Sequence, residues 1–266
     1  MGRFVVFVLL CALVGVIVYK VRAKVKPLGP LGTISVVTGA VKTGKSTLAV
    51  HLAIKSYRRT LRAYYIQRYI LRRDVDKPLL YSNIPLACDF VMLDKDILLR
   101  KKRVVPKSVV LVDEASLLAD SQYIRDGVVN KQLLLFFKLF GHMSHGGSMI
   151  IDTHAISDLH YAIKRSINQY TYIRLTHRLP FFLVMDVLEQ RYADDGTIVS
   201  AQTDDIDANL RHVIISRFAW RMFDTYAFSI LTDHLPVKTD VIHGKDLPNL
   251  KTHEIVSFRD WKDNKN

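Results

Sequence analysis

The sequence predicts an α/β fold: a central, mainly parallel sheet flanked by helices, with an antiparallel hairpin added and a transmembrane helix in front. Three observations predict it. Gly39-Ala40-Val41-Lys42-Thr43-Gly44-Lys45-Ser46 fits the pattern G-x-x-x-x-G-K-[ST] between a strand-like and a helix-like segment. Val109-Val110-Leu111-Val112-Asp113-Glu114 is an apolar run closed by two acids. Phe4 to Tyr19 carries no charge.

That first run has 16 residues. At about 1.5 Å per residue it is slightly short for a hydrocarbon core of about 30 Å, a gap that flanking residues and bilayer thinning close. Arg3 stands alone before it, and Lys20, Arg22, Lys24 and Lys26 follow. The asymmetry puts the N-terminus outside and the rest in the cytoplasm. A cleaved secretory signal is the competing reading. Bulky and basic residues follow in place of a small-x-small site, and export would remove a nucleotide site from its nucleotide. Residues 1–20 are therefore read as a single-pass anchor and 21–31 as a basic linker that ends in Pro and Gly.

The main domain is expected over 32–256. Thr33-Ile34-Ser35-Val36-Val37-Thr38 is β-branched and alternating, as a buried strand requires. After it the glycines let backbone N–H groups converge on an anion at a helix N-terminus. In such a phosphate-binding loop Gly39, Ala40, Val41, Lys42, Thr43, Gly44, Lys45, Ser46 and Thr47 contact nucleotide. Lys45 reaches the β/γ-phosphates, and the Ser46 hydroxyl ligates Mg²⁺. ATP and Mg²⁺ are the cofactors this implies.

The helix that follows is expected from Lys45 to Arg73. Lys55, Arg58, Arg59 and Arg62 fall along one side, with Arg68, Arg72 and Arg73 beyond and Tyr57, Tyr64, Tyr65 and Tyr69 interleaved. The stripe suits DNA phosphates and bases, an anionic lipid surface, or a plain solvated face. Arg100-Lys101-Lys102-Arg103 is as ambiguous. Val109–Val112 reads as a central parallel strand. Asp113 at its end would face Mg²⁺, and Glu114, with Lys45 the candidate catalytic pair, would orient water for in-line attack.

Asn130 to Phe140 reads as an apolar helix ending at Gly141. Ser148-Met149-Ile150-Ile151-Asp152 is a third strand, with Thr153 and His154 at its tip as candidate γ-phosphate sensors. Ile156 to Ile167 reads as an amphipathic helix. From Tyr170 to Ser200 the pattern alternates, with a turn at Asp194-Asp195-Gly196, giving the antiparallel hairpin. Residues 257–266 form a polar tail.

Composition sets outer limits. The 266 residues, 49% hydrophobic and 24% charged, are enough for one domain of ordinary size. Cys11 and Cys88 are the two cysteines, which excludes a disulfide framework or a cysteine-based metal centre. The formal charge is +13; the five basic groups before Pro27 leave an excess of eight for the rest.

Four pieces together resemble the Zot family, the assembly ATPases of filamentous phages named after zonula occludens toxin. They are Gly39–Ser46, Tyr81-Ser82-Asn83-Ile84-Pro85-Leu86, Val112-Asp113-Glu114 and Trp220-Arg221-Met222-Phe223-Asp224-Thr225-Tyr226. The second and fourth are the particular ones, and the resemblance spans roughly residues 32–230. It implies an ATPase at the cytoplasmic side of the host inner membrane that drives assembly and extrusion of single-stranded DNA phage. The implied partners are phage single-stranded DNA with its packaging complex, the major coat protein and sister subunits, with a hexamer as the natural guess. An arginine from one subunit would complete its neighbour's site; Arg125 and Arg165 are the candidates. Better-known members place the ATPase first, then a span, then an extracytoplasmic domain, whereas here the anchor comes first. The alternatives are a DNA translocase of the conjugation or segregation type, and a non-catalytic nucleotide-binding membrane scaffold.

Overall fold

Apolar runs of four to six residues, buried on both faces, can only be the middle strands of a covered sheet. The computed structural model describes residues 27–93, 95–98, 103–115, 131–191, 209–216, 223 and 241–242. Strand β1 (Ile34–Gly39) is buried throughout and leads into helix α1 (Lys45–Tyr65). Strands β2 (Leu80–Ser82), β3 (Phe90–Met92) and β4 (Val109–Val112) follow, with the short helix α2 (Lys95–Leu98) between the last two. Helix α3 (Lys131–Met143) precedes β5 (Ser148–Asp152). Helix α4 (Tyr161–Lys164), β6 (Gln169–Arg178), β7 (Phe182–Arg191), β8 (Leu210–Ser216) and β9 (Val241–Ile242) complete the described chain.

The strands form one mixed sheet in the order β8-β7-β6-β1-β5-β4-β2-β3-β9. From β6 to β3 every pairing is parallel. The antiparallel pairings, β6 with β7, β7 with β8, and β3 with β9, lie outside that block. Alternation along each strand splits the core in two. Val37 and Leu111 face Leu48, Ala49, Leu52 and Ala53 of α1. Val36, Val110 and Val112 face Phe136, Phe137 and Phe140 of α3.

Several local expectations need correction. The α form of α1 ends at Tyr65 and passes into a π-helical turn, Ile66–Ile70, short of Arg73. No residue of the helix after Ile54 is buried, so no packing holds its last turns to the α form. The apolar helix runs through Gly141 to Met143, because the missing side chain at Gly141 lets it approach Thr33, whose Cγ2 would stand 3.1 Å from an added Cβ. Ile156 to Ile167 is no continuous helix: a 3₁₀ turn at Ile156–Asp158 is separated from α4 by extended backbone at Leu159 and His160. The His160 ring then caps α4 by accepting from the Ala162 N–H. The β6–β7 turn lies at residues 179–181, where the Leu179 N–H donates to the Phe182 carbonyl, and β7 pairs antiparallel with β8 in turn; the expected turn is at Asp194-Asp195-Gly196. Those three residues lie outside the described residues, as do the expected anchor of 1–20, the tail of 257–266 and Arg125. Among the described residues no helix is long and apolar enough to cross a membrane.

Candidate functional site

Because β1, β5 and β4 are parallel neighbours, the loops after them open at one end of the sheet, where α/β folds bind ligands. The phosphate-binding loop follows β1, Thr153 and His154 follow β5, and Asp113 and Glu114 follow β4. A cavity of about 440 Å³ lies among them, lined by Lys42, Gly44, Lys45, Ser46, Thr47, Glu114, Asp152, Thr153, His154 and Arg178. Clefts of about 790 and 520 Å³ exist elsewhere, but neither brings carboxylates to a phosphate-binding loop.

The loop has the backbone its sequence requires. Lys42 (φ 64°) and Gly44 (φ 88°) are left-handed, and Gly44 caps α1. A Cβ at Gly44 would meet Met185 Cε of β7 at 2.7 Å, so both conformation and space demand glycine there. Lys45 is 8% exposed. Its Nζ donates to the carbonyls of Gly39 (3.2 Å) and Ala40 (3.4 Å) and lies 2.8 Å from His154 Nδ1. A protonated Lys45 donates to that nitrogen, which leaves the ring proton of a neutral His154 on Nε2. Nε2 faces Glu114 Oε1 at 4.0 Å. His154 thus stands between the two candidate catalytic side chains, whereas the Thr153 hydroxyl is committed to the Ala155 carbonyl at 3.2 Å.

The Ser46 hydroxyl donates to Asp152 Oδ2 at 2.7 Å. Asp152 is 1% exposed and lies against Asp113. Burial lifts both carboxyls above the ordinary carboxylate range. Asp152 is raised well above it because the charge of Asp113 adds to burial, against the pull of Ser46 and Lys45. Asp113 Oδ1 and Asp152 Oδ1 are buried without a hydrogen-bond partner. Two open carboxylate oxygens beside a hydroxyl make an all-oxygen donor set of the kind a hard divalent cation takes. The residues present therefore fit Mg²⁺, and Asp152 joins Ser46 and Asp113 in the set. Sequence reading missed Asp152, although it ends an apolar run just as Asp113 does; the signal was there, but not which strand would lie beside β1.

Two further residues were missed. Asn83, fully buried, brackets the Asp113 peptide: its Nδ2 donates to the Asp113 carbonyl at 2.8 Å, and its Oδ1 accepts the Asp113 N–H at 2.7 Å. That clamp holds the turn in which Glu114 takes φ 48°. Arg178, at the end of β6, donates from Nη2 to the Lys42 carbonyl at 3.3 Å and borders the cavity. The candidate Arg165 is elsewhere: its guanidinium lies over the Tyr161 ring at 5.8 Å, three residues before Asn168 bonds to Ile34 at the start of β1. Of the late aromatic piece only Phe223 is described; it is buried and bridges to Leu86, the end of the Tyr81–Leu86 piece.

No protein-family model matches the sequence, and no curated protein matches it. Among solved structures the chain is similar to the N-terminal domain of zonular occludens toxin from Neisseria meningitidis, at 14% identity and TM-score 0.40, covering 73% of this chain and 100% of that one. It is also similar to the genome packaging NTPase B204 of Sulfolobus turreted icosahedral virus 2 in complex with ATP-gammaS, at 14% identity and TM-score 0.38, covering 62% and 95%. A third is the flagellar accessory protein FlaH of Methanocaldococcus jannaschii, at 15% identity and TM-score 0.33, covering 70% and 85%.

Proposed function

We propose that this chain is an ATPase, anchored by residues 1–20 in the host inner membrane, that powers assembly and extrusion of filamentous single-stranded DNA phage. One observation carries the ATPase reading: a buried carboxylate pair with open oxygens adjoins Ser46 at the mouth of a phosphate-binding loop. A nucleotide site used only as a structural prop has no need of that pair, and Glu114 beside it adds a base.

Ser46, Asp113 and Asp152 would hold Mg²⁺, which when bound supplies positive charge against the phosphate oxygens. The chain's own groups do the rest. Lys45 exchanges the Gly39 and Ala40 carbonyls for β/γ-phosphate oxygens, and the loop N–H groups orient the triphosphate. Glu114 accepts a proton from water as its oxygen bonds to the γ-phosphorus and the bond to the β–γ bridging oxygen breaks, leaving ADP. His154 couples the two, since moving Lys45 onto phosphate frees Nδ1 and changes what Glu114 faces across the cavity.

The export reading is supported by the Tyr81–Leu86 and Trp220–Tyr226 pieces of the sequence. Its partners would be phage single-stranded DNA with its packaging complex, the major coat protein, and sister subunits in a ring, with a hexamer as the guess. Arg125 or Arg165 would act across a subunit boundary.

Turnover and binding assays test the motor. Lys45→Ala should lose binding and hydrolysis together, whereas Glu114→Gln should keep nucleotide binding and lose turnover. Full activity in Glu114→Gln would overturn the mechanism. In infected cells either change should stop progeny release while intracellular single-stranded DNA accumulates; a block in DNA accumulation would point to another substrate.

A further inference from the structure

Helix α1 starts at the phosphate-binding loop and runs back to the opposite end of the sheet. There its residues His51 to Arg62 share a cleft with Leu28, Leu31 and Ser148, the last at the start of β5. The eight residues from Ala63 to Ile70 therefore project past the sheet, by about 12 Å at the α-helical rise. None of them is buried. This projection is the most exposed apolar stretch of the described chain: Tyr69 is 70% and Ile70 72% exposed, and Tyr65, Ile66 and Leu71 stand beside them. Spacing of four puts residues 65, 66, 69 and 70 on one side, where the Tyr65 and Tyr69 rings stack at 5.9 Å. Arg62, Arg68, Arg72, Arg73 and Lys77 flank them along the chain against two carboxylates, Asp74 and Asp76, of which Asp74 pairs with Arg68.

The chain enters at the same end. The Gly29 N–H donates to Glu189, the Gly32 N–H donates to Gln169 at the foot of β6, and β1 starts from there. Whatever holds residues 1–26 therefore holds the projecting end of α1 near by. If the uncharged run Phe4–Tyr19 spans the bilayer, as the proposed function has it, the projection faces the anionic cytoplasmic leaflet. Tyr with Ile and Leu, flanked by Arg, is the chemistry of a protein edge at a lipid interface. A surface for bases would use the tyrosines and arginines but leave Ile66, Ile70 and Leu71 without a role.

We infer that the projecting end of α1 is a second membrane contact: Tyr65, Ile66, Tyr69, Ile70 and Leu71 enter the interface of an anionic bilayer, and the flanking arginines hold its headgroups. The contact sets the ATPase body against the membrane with the phosphate-binding loop pointing away from it.

The test uses the full chain with a tryptophan placed at either end, after subtraction of the parent signal from Trp220 and Trp261. Tyr69→Trp reports on the projection; Phe181→Trp reports on the hairpin tip at the nucleotide end. The protein is mixed with, or reconstituted into, phosphatidylcholine vesicles brominated on the acyl chain, with or without phosphatidylglycerol. Bromolipid should quench Tyr69→Trp several-fold more than Phe181→Trp when phosphatidylglycerol is present. Arg62→Glu together with Arg72→Glu should remove most of that difference. Equal quenching at the two positions, no quenching at 69, or no vesicle association at all overturns the inference. So does a Tyr69→Trp signal that single-stranded DNA perturbs and bromolipid does not, which would make the face a nucleic-acid surface. The readout does not depend on hydrolysis, so the same result in a Glu114→Gln background separates this contact from the motor reading.

Discussion

Asp152 does at residue scale what a lone strand-end acid cannot. Its Oδ2 fixes the Ser46 hydroxyl while its Oδ1 stays open beside that of Asp113. Asp152→Asn keeps the shape, removes the charge and leaves Ser46 without a carboxylate to donate to. The Mg²⁺ concentration for half-maximal ATPase activity should rise by about 10–100-fold, the usual cost of losing a partner that orients a metal ligand. A Mg²⁺ titration of turnover checks this, and an unchanged midpoint would take Asp152 out of the cation site. Arg178 makes a different demand. Exposed, and held among the described residues by the Lys42 carbonyl, it can turn into the cavity; Arg178→Ala should weaken nucleotide binding more than it harms folding, as calorimetric titration with a non-hydrolysable analogue would show.

Two elements hold the loop from outside the nucleotide motif. Strand β6 pairs with β1 only as far as Ile173 and Gly39, and past a bulge between Ile173 and Leu175 it overhangs the loop. The Thr176 hydroxyl donates to the Thr43 carbonyl at 2.8 Å, and Met185 of β7 closes on Gly44. Strand β2 leads directly into Asn83, which holds the Asp113 peptide from the other side. Asn83→Ala strands a buried N–H and carbonyl, so it should cost about 1–3 kcal/mol of stability by urea unfolding. It should also lower kcat with little change in KM, because nucleotide still binds the untouched loop. A rise in KM alone would mean that the clamp serves binding, not chemistry. Much of this was legible beforehand. The strands at Ile34, Val109 and Ser148 announce themselves because buried parallel strands are short apolar runs, and the glycine pattern fixes the loop. The role of Asn83 was not legible: its hydrogen bonds reach 30 residues along the chain, and no periodicity records a partner at that distance. The β6–β7 turn at 179–181 carries no glycine to announce it, although the fixed φ of Pro180 suits the end of β6.

At the scale of the whole molecule the sheet keeps its charged chemistry at one end and the incoming chain at the other. The carboxylate pair makes global stability answer to pH. Burial raises Asp113 and Asp152 above the value of about 3.9 that each would have in the unfolded chain. The stability tied to their protonated form is therefore complete below that value and is lost as pH rises through the raised folded-state pKa values. His51 acts in the opposite sense. Burial, then Lys55 and Arg58, lower it below 6.5, so its contribution is complete above 6.5 and is lost only as pH falls. Without Mg²⁺, the part of the unfolding free energy tied to these carboxyls should fall as pH rises from about 3.9 through their raised folded-state values, by at most about 1.4 kcal/mol per pH unit for each proton released, and His51 opposes it only as pH falls below 6.5. Mg²⁺ favours the ionised pair, so the rise in Tm that it produces should grow over the same range. Asp152→Asn should flatten both trends, because it removes the more strongly raised group and the charge that Asp113 opposes. Thermal unfolding across that range, with and without Mg²⁺, separates the outcomes: a flat wild-type curve, or a slope that survives Asp152→Asn, would mean that the two carboxyls do not share a buried site.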